Sequence, residues 1–163
     1  MLKNWNELPE YMRTDEVRPY YDLLQRKKLS LFFKRVFDIV VSLIMIILCS
    51  PILLIISILI VKDSKGGVFY RQERVTQYGR VFRIFKFRTM VQNADQIGTQ
   101  VTISNDSRIT NVGSKLRNCR LDELPQLFNI FLGDMTFVGT RPESVHYVKS
   151  YTDEMYATLL LPA

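Results

Sequence analysis

Residues 39–61 carry no charged side chain, and a Ser50-Pro51 pair stands near the middle of the run. As one helix these 23 positions would reach about 34 Å at about 1.5 Å per residue, enough to cross a hydrocarbon core of about 30 Å. The run opens well inside the chain and exceeds the apolar core of a secretory signal, about 7–15 residues, which disfavours a cleaved leader. Proline at its centre removes one backbone hydrogen bond and crowds the preceding turn, so a kink is expected. Arg26, Lys27, Lys28, Lys34 and Arg35 precede the run, and Lys62, Lys65, Arg71 and Arg74 follow it. A spanning helix usually shows an asymmetry of basic residues between its ends. Residue chemistry leaves two arrangements open: a kinked spanning helix, since membrane helices tolerate proline, or a helix-break-helix that returns to the face it entered. Asp38, at the entrance, either pairs with Lys34 or Arg35 or is solvated at the interface.

Composition narrows the chemistry. The 163 residues suit one domain, and 47% apolar with 23% charged side chains excludes bulk disorder. Two cysteines (Cys49, Cys119) and one histidine (His146) cannot build a four-ligand zinc site or a disulfide framework. Any metal would be a hard ion on carboxylates. A net charge of +6 favours anionic partners: nucleic acid, lipid headgroups or phosphorylated substrates.

Residues 1–30 are polar with scattered Tyr, Leu and Trp5, and read as a surface segment lying near headgroups. From Val68 to Met90, aromatic and β-branched residues flank Gln77-Tyr78-Gly79, the signature of a hairpin. On its second strand Lys86 and Arg88 share a face with Phe82 and Ile84. Residues 91–108 read as a polar loop. Ile109, Val112, Gly113 and Leu116 recur at helical spacing and predict a short amphipathic helix bearing Lys115 and Arg117. A further helix is expected to start near Asp122, with aspartate as N-cap and Pro125 in the first turn, and to stop at Gly133. Its apolar face (Leu127, Phe128, Ile130, Phe131, Leu132) suits either a membrane interface or a core. A last helix is expected over about 143–160, and the abrupt Leu161-Pro162-Ala163 ending reads as a cut.

The adjacent carboxylates Asp122 and Glu123 are the sharpest local signal. Amides at a helix start favour negative charge, so Asp122 is expected to stay ionised as a nucleophile or metal ligand. Neighbouring helical residues point about 100° apart, which allows one to attack phosphorus while the other holds Mg²⁺. Phosphoryl transfer also needs cations, and Lys86, Arg88, Arg117 and Arg141 are candidates. Taken alone, an Asp-Glu pair at a helix start is most often a cap, and each cation most often solvated.

Taken together, the motifs say more. The ordered set is Lys34-Arg35-Val36-Phe37-Asp38, Ser50-Pro51, Phe69-Tyr70-Arg71-Gln72-Glu73-Arg74 and Phe85-Lys86-Phe87-Arg88-Thr89-Met90. It continues with Leu121-Asp122-Glu123-Leu124-Pro125-Gln126, Gly133-Asp134-Met135 and Val138-Gly139-Thr140-Arg141-Pro142-Glu143. Over about residues 31–160 this resembles the bacterial sugar transferases, the monotopic polyprenyl-phosphate phosphoglycosyl transferases that start capsule, exopolysaccharide and related glycan assembly.

The resemblance implies a mostly helical α+β monotopic membrane protein with a re-entrant helix, a small β-hairpin and interfacial amphipathic helices. It implies three parts: a polar segment (1–30), a re-entrant helix broken at Ser50 and Pro51 (31–61), and a cytoplasmic catalytic region (62–163) at the bacterial inner membrane. The implied reaction is attack by Asp122 on the β-phosphate of a UDP-sugar with loss of UMP. Transfer of the sugar-phosphate to polyprenyl (undecaprenyl) phosphate follows. Glu123 would bind Mg²⁺, Lys86 and Arg117 match the basic active-site residues, and Arg141 matches an arginine associated with the nucleotide. The chain departs from the pattern at Thr140, where a proline is usual, and lacks a Pro-Gly segment and further helix beyond residue 163. The expected partners are a UDP-sugar, polyprenyl phosphate and membrane lipid, with self-association left open. A non-catalytic membrane scaffold of the same fold is the alternative. A nucleic-acid binder is disfavoured, since the cations are spread among apolar stretches without a nucleic-acid motif.

Overall fold

The computed structural model describes residues 2–94 and 106–163. Helix α1 (Arg18–Arg26) leads into α2 (Lys28–Asp63), 36 residues long. Only 11% of the most apolar window of α2 is buried, so it is not the core helix of a soluble domain. Pro51 cannot donate to the Ile47 carbonyl four residues back. The Ser50 hydroxyl does so instead, at 2.8 Å. Helical structure therefore continues through Ser50-Pro51, and the expected interruption is a proline inside one helix rather than a gap between two. Ser42 and Ser57 likewise return their hydroxyls to the carbonyls of Ile39 (3.1 Å) and Leu53 (2.7 Å), so each hydroxyl is satisfied within its own helix.

Both ends of α2 are fastened to the rest of the chain. Near its start, Arg35 donates through Nη1 to Ile130 O (2.7 Å) and through Nη2 to Phe131 O (2.8 Å). Buried Asp38 accepts from Thr136 Oγ1 (2.7 Å) and Phe137 N (3.2 Å) and lies 3.5 Å from Lys34 Nζ. Of the two fates open to Asp38, the structure selects the ion pair. Near its end, Ile56 and Ile60 join Phe87 and Leu116 in a buried cluster, with Leu53, Val112, Leu121 and Leu124 packed around it. Asp63 Oδ2 accepts from Val112 N at 2.9 Å.

The hairpin forms as the alternation predicts: β1 (Phe69–Val75) pairs antiparallel with β2 (Val81–Phe87) around Gln77–Gly79. Its register sets Tyr70 opposite Lys86, Gln72 opposite Ile84 and Arg74 opposite Phe82. Directly opposed residues share a face, so Tyr70, Gln72, Arg74 and Lys86 project together. Helix α3 (Asn111–Asn118) is capped by Thr110, whose Oγ1 accepts from Gly113 N at 3.0 Å. A Cβ on Gly113 would meet Thr89 O at 2.1 Å, so only glycine lets α3 lie this close to the end of β2. Helix α4 (Gln126–Leu132) ends at Gly133, whose φ of 88° makes the left-handed cap. Fully buried Asn129 stitches α4 to β2, accepting from Phe85 N (2.8 Å) and donating to Arg83 O (3.2 Å).

Two expectations are corrected here. Residues 1–30 are not merely a surface segment: Leu8, Met12, Val17 and Tyr21 are buried with Val75, Leu159 and Leu160 in a second core. The helix expected over 143–160 is instead α5 (Val145–Val148) and a 3₁₀ stretch, Glu154–Leu160. The interruption lets Val145 and Val148 on one side, and Tyr156, Leu159 and Leu160 on the other, reach the same cluster. Of the loop expected over 91–108, residues 95–105 lie outside the described residues.

Candidate active site

The site is a cleft of about 740 Å³ between the hairpin, the end of α3 and the turn that precedes α4. Its charged lining is Arg74, Lys86, Arg88, Arg108, Arg117, Arg120 and Arg141 against Asp122 and Glu123. So strong a cationic excess in one concavity focuses the potential for an anionic ligand. Arg108 is partly neutralised by Asp106, joined at 2.6 Å. That hydrogen-bonded guanidinium holds the Asp106 carboxyl at about 2.

Asp122 is not the N-cap expected from the sequence. It lies inside a 3₁₀ turn, Leu121–Glu123, preceded by Arg120 in the left-handed conformation, and α4 begins only at Gln126. Pro125, which cannot donate, takes the position before the first α-helical turn, so the tight turn places the dyad at the cleft wall. Burial pushes the Asp122 carboxyl above its ordinary value, with the Glu123 charge adding to the rise while Lys86 and Arg117 pull it back in part. The expectation that helix amides dominate its ionisation is thereby corrected. Its Oδ1 is buried and has no hydrogen-bond partner among the described residues.

Glu123 behaves oppositely. Burial raises its carboxyl, but the Lys86 hydrogen bond and the charges of Lys86, Arg120 and Arg141 outweigh this and leave it lowered. Lys86 Nζ donates to Glu123 Oε1 at 2.9 Å. Two adjacent carboxylates thus have divergent environments, one poorly solvated and basic, the other clamped as an anion. That divergence is the usual mark of divided chemical roles.

Lys86, Arg117 and Arg141 come from β2, α3 and the segment after α4, yet all line this cleft with Asp122. Arg117 Nε donates to Thr89 Oγ1 at 2.9 Å. Arg88 lines the cleft but its guanidinium is committed elsewhere, to Ser64 O (2.7 Å), Ser64 Oγ (2.9 Å) and Lys65 O (2.9 Å). It ties the end of β2 to the end of α2. Arg74 was missed by reading the sequence. It donates to Gln72 Oε1 (2.7 Å) and to Pro142 O (3.4 Å), and Val75 N donates to Glu143 O (2.8 Å), so β1 docks the Arg141 turn. The period-two pattern Tyr70, Gln72, Arg74 would have found this face once the hairpin register was known. Arg120 was missed as well, for a residue two before the dyad carries no pattern of its own.

A Mg²⁺ ion fits these residues. It is held by one or two carboxylates with waters and substrate phosphates completing its shell. Among the described residues Lys86 engages only Oε1 of Glu123, which leaves Oε2 for an ion and the Asp122 oxygen available to attack. No group of three or more His, Cys, Asp or Glu suited to a metal occurs among the described residues, so such an ion would depend on the substrate for further oxygens.

The sequence profile of the family described as "Bacterial sugar transferase" matches residues 29–161. The chain belongs to the bacterial sugar transferases. Among its relatives is the UDP-N-acetylgalactosamine-undecaprenyl-phosphate N-acetylgalactosaminephosphotransferase of Aeromonas hydrophila, 43% identical over 135 residues, which cover 80% of this chain and 32% of that protein. The UDP-glucose:undecaprenyl-phosphate glucose-1-phosphate transferase of Klebsiella pneumoniae is 44% identical over 125 residues, covering 76% and 26%. The exopolysaccharide production protein PSS of Rhizobium leguminosarum bv. phaseoli is 40% identical over 118 residues, covering 72% and 59%. As a bacterial sugar transferase the chain thus spans about a third or less of the first two relatives' length.

Proposed function

We propose that this chain is a membrane-bound phosphoglycosyl transferase core, moving a sugar-1-phosphate from a UDP-sugar to polyprenyl phosphate through a covalent aspartyl intermediate. The observation that carries the reading is Asp122 itself: a poorly solvated carboxylate with a bare oxygen, set among cations that line one cleft. In the first step an Asp122 oxygen attacks the β-phosphorus, the bond to the bridging oxygen breaks, and UMP leaves. In the second, an oxygen of polyprenyl phosphate attacks the same phosphorus, which returns Asp122 as a free carboxylate and yields polyprenyl-diphosphate-sugar.

Lys86, Arg117 and Arg141 supply positive charge for the diphosphate, where charge-assisted bonds are about twice as strong as neutral ones. Glu123, with Asp122 beside it, would hold Mg²⁺; when bound, the ion would neutralise charge on the diphosphate. Arg88 acts on the fold rather than on the diphosphate, tying the end of β2 to the end of α2.

The membrane arrangement follows the same reading: α2 enters one leaflet, changes direction at Ser50-Pro51 and returns to the cytoplasmic face of the inner membrane. What supports this is the fastening of both ends. A straight α2 would separate Arg35 from Asp63 by about 42 Å, more than a hydrocarbon core of about 30 Å. Yet Arg35 binds carbonyls at the end of α4 and Asp63 binds the start of α3, in one charged body. Leu43, Ile47, Leu48 and Ile52, between those ends, are exposed.

Incubating the membrane-embedded full chain with a panel of UDP-sugars and polyprenyl phosphate should release UMP with at least one of them. Absence of release across the panel would reject the transferase reading in favour of a non-catalytic scaffold.

A further inference from the structure

The basic side chains of the cleft differ in how they are employed. Lys86 is held by Glu123, Arg88 by Ser64 and Lys65, Arg108 by Asp106, and Arg74 by Gln72 and Pro142. Arg120 and Arg141 take part in no side-chain hydrogen bond or ion pair among the described residues, and both line the cleft. Arg141 already has a place in the proposed reaction. Arg120 has none.

Its backbone makes the residue unusual. Arg120 sits at φ 57°, ψ 17°, a left-handed conformation that crowds a Cβ and is visited mainly by glycine and asparagine. Its amide donates to Arg117 O at 3.1 Å and its carbonyl accepts from Glu123 N at 3.4 Å. This one residue therefore joins the end of α3 to the dyad turn. The turn would form at least as readily with a smaller residue, and Arg120 is exposed and belongs to neither buried cluster. An arginine kept at a strained junction, with its guanidinium in no hydrogen bond or ion pair among the described residues and lining a cleft, is a pattern of binding sites rather than of folding.

We propose that Arg120 is a phosphate-binding residue for the donor's diphosphate, acting beside Arg141 as the second uncommitted guanidinium of the cleft. A guanidinium fork matches phosphate oxygens bidentately, which a lysine cannot do. The inference rests on the proposed transfer reaction.

Arg120→Asn separates the guanidinium from the backbone, because asparagine tolerates the left-handed conformation. UDP, which carries no sugar to transfer, is titrated calorimetrically into the full chain, into Arg120→Asn and into Arg120→Lys, with melting temperatures measured alongside. Arg120→Asn should melt no lower than the parent chain and bind UDP at least about tenfold more weakly, since tenfold corresponds to losing one hydrogen bond to a charged group and the fork makes two. Arg120→Lys should recover part of the affinity. Aspartyl-adduct formation from UDP-sugar should slow in Arg120→Asn, while consumption of preformed adduct by polyprenyl phosphate should not. Unchanged UDP affinity would overturn the proposal, and a defect confined to adduct consumption would overturn its assignment to the donor. If the parent chain binds UDP but releases no UMP from any UDP-sugar, the transfer reaction fails while the phosphate site stands.

Discussion

Lys86 on the second strand and Glu123 in the dyad turn, 37 positions apart, are joined by a 2.9 Å hydrogen-bonded ion pair. The pair is the bolt between hairpin and helical half of the cleft, and it separates the ionisation of Glu123 from that of its neighbour Asp122. Replacing Lys86 with methionine keeps the aliphatic stem and removes the charge. Glu123 then loses the largest of the groups that lower it, its carboxyl rises, and the acid limb of the UMP-release profile moves to higher pH. Turnover at neutral pH should fall by about 100-fold, the scale seen when a preorganised charge is lost from a polar site. An unshifted acid limb would show that Glu123 ionisation does not govern the rate.

Asp122 gives a stability signature with the opposite sign. A carboxyl whose folded value is raised binds its proton more tightly in the folded chain than in the unfolded one. Its contribution is fully present below the unfolded value, about 3.9, and is lost as pH rises through the folded value. At pH 7 the ionised group therefore opposes folding. Asp122→Asn should melt higher than the parent chain at pH 7, and the difference should close near pH 3.5. A lower melting temperature at pH 7 would contradict the account of the site as a strained, poorly solvated carboxylate.

Arg88 should act through the fold. Its guanidinium is buried and bridges Ser64 and Lys65, so Arg88→Ala strands two carbonyls and should reduce stability by about 2–4 kcal/mol. UDP affinity of the folded fraction should be unchanged in denaturant-free titration. Arg88→Lys should recover little, since one ammonium cannot span both carbonyls as the fork does.

How far the sequence could be read depended on how local the causes were. The hairpin was legible because alternation and its turn act within a few residues, and α3 because its apolar spacing is helical. Convergence of Lys86, Arg117, Arg141 and Asp122 came through the motif resemblance, not through periodicity, since four separate segments supply them. Burial of Leu8, Met12 and Val17 was not legible, because their partners Leu159 and Leu160 lie at the other end of the chain. Asp122 was misread as a helix cap because Asp-Glu before Pro125 has the composition of one. The tight turn that displaces it depends on the left-handed Arg120, which no composition rule predicts. Arg88 on a strand end looked like a ligand-facing cation, and only the packing of the end of α2 beside it shows which carbonyls it serves.

The topology has a direct test in cells. With Cys49 and Cys119 replaced, single cysteines at positions 25 and 68 should both resist a membrane-impermeant thiol reagent applied from outside, and both should react after permeabilisation. Labelling of one but not the other in intact cells would make α2 a spanning helix.

The central claim is that Asp122 carries the sugar-phosphate. Full chain embedded in membranes without polyprenyl phosphate, mixed with labelled UDP-sugar and quenched rapidly, should retain label, and peptide mass mapping should place one added sugar-phosphate on Asp122. Asp122→Asn should retain none. An adduct mapped to any other residue, or UMP release by Asp122→Asn at the parental rate, would contradict the mechanism.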